Sequence, residues 1–77
     1  MSETELKGIL KQQPFIPFEI QTDHGERYMI NHPETLFVGP VSAFFYEPDA
    51  PNVIFISLRH IAAVEHAVPP RFKTDVA

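Results

Sequence analysis

The stretch Val53-Ile54-Phe55-Ile56-Ser57-Leu58-Arg59-His60-Ile61-Ala62-Ala63-Val64 decides the fold class. Residues 53–58 carry no charge, Pro or Gly and are rich in β-branched and aromatic side chains, which is the composition of a strand. Arg59-His60 breaks the apolar run as a tight turn, and Ile61 to His66 reads as a second, shorter strand. Apolar side chains fall on both faces of 53–58, and again in Phe44-Phe45-Tyr46. An antiparallel strand that is wet on one side alternates apolar and polar residues. Both faces of these two segments are therefore expected to be covered, by the chain's own helix or by a second subunit.

Working upstream, Pro48-Asp49-Ala50-Pro51-Asn52 is a cluster of breakers and marks a turn. Leu36 to Tyr46 is extended but interrupted by Gly39-Pro40. It is either one kinked strand or a short strand followed by a second over Val41 to Glu47. Phe18, Ile20 and Thr22 alternate with Glu19 and Gln21 and define a strand with one inward face. Asp23-His24-Gly25-Glu26 is a hairpin signal, with Gly25 suited to positive φ. Arg27 to His32 is the return strand, with Tyr28 and Ile30 on the core side, and Pro33 ends it.

Ser2-Glu3-Thr4-Glu5 is a capping box and predicts a helix over 3–12, closed by Pro14. Leu6, Ile9 and Leu10 form its one narrow apolar stripe. Three turns are too few to stand alone in water, so the stripe has to dock on something. The fold expected is mainly β: a short N-terminal α-helix followed by a five-stranded antiparallel SH3-like barrel. Residues 1–68 form a single domain, with the helix at 3–12 and the barrel at 15–66. Residues 69–77, after Pro69-Pro70, are expected to be a mobile tail.

Composition narrows the function. A chain of 77 residues buries only roughly 60% of its unfolded surface, so its core is thin. It has no cysteine, which removes disulfides and thiolate metal sites. Ten acidic against six basic residues give a formal charge of −4, a balance that counts against binding phosphate backbones or anionic membranes. No apolar run approaches the length of a membrane span and no secretory pattern opens the sequence, so a cytoplasmic location is expected.

The order of parts resembles the Sm-like barrel of Sm, LSm and Hfq-type proteins. Phe18-Glu19-Ile20-Gln21-Thr22-Asp23-His24-Gly25-Glu26-Arg27-Tyr28 looks like that family's first hairpin, and Ser57-Leu58-Arg59-His60-Ile61-Ala62-Ala63-Val64 like its second motif. The resemblance covers about residues 4–66, and the apolar spacing after Arg59-His60 differs from the Hfq pattern by one residue. It implies an edge-to-edge oligomeric ring, with Arg59 and His60 at the position of the Lys-His pair beside the RNA pore. Pro14-Phe15-x-Pro17-Phe18, Asp23-x-Gly25 and His32-Pro33-Glu34 also look like a group of short bacterial proteins without assigned function.

Two functional readings follow. The first is a non-enzymatic module that self-associates or docks on a protein partner. Its interface would be drawn from Leu6, Ile9, Leu10, Phe45, Val53 and Phe55, with the edge of Ile61 to His66. The second is an RNA-binding ring using Arg59 and His60, with Arg27 nearby in the hairpin, and with Phe15, Phe37, Phe44, Phe45 and Tyr46 as candidate stacking platforms. The four histidines, at 24, 32, 60 and 66, show no helical i, i+4 pair, and read as ordinary turn and strand-end residues. Neither a metal site nor a cofactor site is expected. A Ser57, His60 and Glu65 array has no glycine-rich elbow beside it, so no catalytic residue is assigned.

Overall fold

The computed structural model describes residues 1–66; the expected tail at 69–77 lies outside them. The chain runs α1 (Glu3–Leu10), β1 (Phe18–Thr22), β2 (Arg27–Ile30), a 3-10 turn (Pro33–Thr35), β3 (Leu36–Val38), β4 (Ser42–Tyr46), β5 (Val53–Ser57), a second 3-10 turn (Leu58–His60) and β6 (Ile61–His66). The strands form two antiparallel three-stranded sheets, ordered β2-β1-β6 and β3-β4-β5.

Six strands in two sheets replace the five-stranded closed barrel that the sequence suggests, and among the described residues no ladder joins the sheets. Proline is the physical reason. Pro33 offers no N–H and begins a 3-10 turn, so β2 and β3 fall into different sheets. Gly39-Pro40 does not kink one long strand. The chain reverses there, the Gly39 N–H donates to the Ser42 carbonyl at 2.9 Å, and β3 pairs with β4.

α1 ends at Leu10 with Lys11 as its cap, short of the expected residue 12. Its capping box forms in full: the Glu5 N–H donates to the Ser2 hydroxyl at 3.1 Å, and the Ser2 N–H donates to the Glu5 carboxylate at 2.9 Å. The backbone donor first, then the hydroxyl, hold the Glu5 carboxyl below its ordinary pKa. The inner faces of both sheets and of α1 meet in one core of Leu6, Phe18, Ile20, Ile30, Leu36, Ala43, Phe45, Ile56, Leu58 and Ile61, with Ile9 and Leu10 packed against it. The helix stripe therefore seals the chain's own interior. Leu6, expected among the interface residues, is completely buried.

The two outer faces differ in chemistry. On the β2-β1-β6 sheet, Glu19 and Glu65 stand directly opposite each other. The Gln21 side-chain amide donates to both carboxylates, at 2.9 and 3.0 Å, and the Arg27 guanidinium lies 3.7 Å from Glu19. This face is polar. The outer face of the β3-β4-β5 sheet is aromatic.

Candidate functional site

Strand register builds the aromatic face. Phe37 pairs with Phe44 across β3 and β4, and Phe44 pairs with Phe55 across β4 and β5. Side chains directly opposite in a ladder share a face, so three phenylalanines stand in one row. Their exposures are 73%, 42% and 71% in strand order. Phe44 and Phe55 stack at 4.5 Å between centroids with 18° between planes. Tyr46 and Val53 are a second pair on the same face, both exposed.

The neighbouring row, Leu36, Phe45 and Ile54, points inward. Phe45 is 4% exposed and packs on Tyr28 at 5.9 Å. This corrects the expectation that Phe45 lies on the outer face. The sequence has three aromatics in succession at 44–46, so periodicity left the parity open, and pairing with the Leu36 row settles it. Val53 and Phe55 do lie outside. Phe15, a candidate platform, packs against Phe18 at 5.9 Å.

The basic residues proposed for RNA are dispersed. Arg27 sits beside Glu19 on the polar sheet. Arg59 borders an open groove of about 720 Å³ shared with Met1, Pro40, Val41, Ser42, Ser57 and Leu58. His60 turns the other way, its Nδ1 3.2 Å from Asp23 Oδ2. Arg27 lines a different depression, with Tyr28, Met29 and Asp49. Among the described residues Arg59 makes no ion pair.

The hairpin turn and the turn before β6 meet, which sequence spacing did not reveal. The Asp23 N–H donates to the His60 carbonyl at 2.9 Å, tying residues 37 positions apart. His24 joins them: its Nδ1 lies 3.4 Å from Asp23 Oδ1, and its ring centroid is 5.0 Å from that of His60. Ser57 lines the same cleft, but no hydrogen bond joins it to His60 among the described residues, and Glu65 is taken by Gln21. The Ser57, His60 and Glu65 array is not assembled.

His32 begins the first 3-10 turn through its backbone, its carbonyl accepting from the Thr35 N–H and hydroxyl, without a side-chain cap. His66 lies edge-on to Phe18 at 6.5 Å. No helix among the described residues is long and apolar enough to cross a membrane. Compared with known proteins, the chain finds no matching family model, and neither a curated protein nor a solved structure matches it significantly.

Proposed function

We propose that this protein is a non-enzymatic small β-module that works by self-association, laying the aromatic face of its β3-β4-β5 sheet against a second copy. The observation that carries the reading is the exposed Phe37, Phe44 and Phe55 row. At about 200 Å² per aromatic side chain, these three with Tyr46 and Val53 leave on the order of 600 Å² of contiguous apolar surface. Monomers rarely expose a larger patch. Two copies would bury about 1,200 Å², the lower bound for a specific interface. The five outward residues carry no charge, so the face offers nothing to a charged partner, and a twofold contact matches it to itself.

The edges support the same reading. β5 is an uncharged strand that, among the described residues, pairs only with β4 and forms an edge of its sheet, the kind of edge that can pair with another chain. β6 is an edge of the other sheet. The short N-terminal helix, the hairpin of β1 and β2 and the antiparallel strands that follow fit the order of parts that resembles an Sm-like barrel, and an edge-to-edge mode of assembly accords with that resemblance.

The test is solution mass at micromolar concentration, read with the 260/280 nm absorbance ratio. The wild-type chain should exceed one chain in mass with a protein-like ratio. Phe55→Asp should give one chain in mass with an unchanged far-UV spectrum. A monomeric wild type, or a Phe55→Asp variant that stays assembled, overturns the proposal. Co-purifying nucleic acid would favour the RNA-binding ring instead, with Arg59 as its cation.

A further inference from the structure

The geometry points to a second site: we propose that Asp23, His24 and His60 bind a divalent transition-metal ion of the zinc class. The three residues each offer one ligand atom, and these atoms all lie within 4.8 Å of one another. The two imidazoles approach the two oxygens of one carboxylate: the His24 Nδ1 lies 3.4 Å from Asp23 Oδ1, and the His60 Nδ1 lies 3.2 Å from Asp23 Oδ2. Ligands at about 2.0–2.1 Å from a tetrahedral ion stand about 3.4 Å apart. Rotation of the exposed Asp23 and histidine side chains brings one carboxylate oxygen and both imidazoles onto a single ion. The His24 side chain is 67% exposed and moves without disturbing the core.

The backbone beneath the group is fixed. The Asp23 N–H donates to the His60 carbonyl at 2.9 Å, which locks the hairpin turn to the turn before β6. Within the hairpin, the Thr22 N–H donates to the Glu26 carbonyl at 2.9 Å, and the Gly25 N–H to the Thr22 carbonyl at 3.0 Å. The Glu26 N–H donates to the Thr22 hydroxyl at 3.1 Å. Thr22 itself is buried. Two turns thus deliver imidazoles to one carboxylate from fixed anchor points, so little chain ordering has to accompany metal binding.

The donor set selects the ion. Two neutral imidazoles and one carboxylate suit zinc and its neighbours among the later first-row metals, whereas magnesium and calcium prefer oxygen ligands. Three protein ligands leave a fourth position open. Glu26 lines the same cleft, of about 210 Å³, as His24 and His60. It is a further carboxylate source on that wall, and water is the other. Phe55 also lines the cleft, so the metal would sit at one end of the aromatic row.

The test is a Zn²⁺ titration of the full chain, followed by the imidazole resonances of all four histidines. The expected result is saturation at one Zn²⁺ per chain, with His24 and His60 shifting and His32 and His66 unmoved. Mg²⁺ should produce no change. Asp23→Asn, His24→Ala and His60→Ala should each weaken binding by at least about tenfold, the scale on which even outer-shell partners act. His32→Ala should leave it unchanged. His24→Ala guards against misfolding, because that side chain has no part in the core. Absence of saturable binding, equal shifts at His32 or His66, or unchanged affinity in folded His24→Ala or His60→Ala overturns the proposal.

Discussion

Phe44 and Phe55 are stacked cross-strand neighbours on the solvent side of their sheet, 4.5 Å apart and within 18° of parallel. A stacked pair is worth about 0.5–1.5 kcal/mol beyond its buried area. A double-mutant cycle with Phe44→Ala and Phe55→Ala, read by chemical denaturation of dilute protein, should return a coupling energy in that range. Additive losses would mean that the contact does not stabilise the single chain.

Assembly through this face should depend little on salt. No charge is buried by it, and screening acts on charges. Sedimentation at low and at high ionic strength should give the same mass. Dissociation on adding salt would point to an electrostatic interface and away from the aromatic row.

Phe18 is completely buried at the centre of the core. Phe18→Ala should cost about 3–5 kcal/mol. A chain this small has only about 4–12 kcal/mol in total, at 0.05–0.15 kcal/mol per residue. Thermal or denaturant unfolding should therefore show the variant losing a large share of its stability, and unfolding outright if the wild-type value lies at the lower end of that range.

Thr22 is a buried polar residue whose hydroxyl accepts the Glu26 N–H. Thr22→Val keeps the shape and removes the acceptor, which should cost about 1–3 kcal/mol. Gly25 has φ of 88° in the same hairpin, so Gly25→Ala should cost about 1–2 kcal/mol. Denaturant midpoints of the two variants check both values.

Two groups set a pH dependence of opposite sign. The Glu5 carboxyl is held below its ordinary value by the Ser2 backbone N–H and then the Ser2 hydroxyl. The stabilisation it gives is complete above the ordinary carboxyl pKa and disappears as pH falls through the lowered one. Burial, then the Glu26 and Glu47 carboxylates, push the Tyr28 phenol up. Its contribution is complete below the ordinary phenol pKa and is lost as pH rises through the raised one. NMR titration of the Glu5 side chain and ultraviolet titration of Tyr28 should show these displacements. Glu5→Gln should flatten the acid limb of helix stability.

Much of this architecture is written in local signals. The Ser2 to Glu5 capping box, the Gly25 hairpin and the apolar run at 53–58 each fix an element from neighbouring residues alone. What could not be read locally is register. Whether Phe44 or Phe45 faces out depends on its partners Phe37 and Leu36, and aromatics at both positions erase the alternation that would reveal it. Pro33 was legible as a strand end, whereas Gly39-Pro40 left a kink and a split between two strands equally open, and the pairing of β3 with β4 decides for the split. The histidine cluster was equally hidden, because Asp23 and His60 meet only once the two sheet ends are in place.

β1 lies in the middle of its sheet, yet one of its two partners is β6, the last element described. Closing that sheet joins the two ends of the domain, and folds dominated by such distant pairings form slowly. During synthesis, a nascent chain that has displayed residues 1–60 holds β1 with one bare edge, and that edge stays open to other chains until residues 61–66 emerge.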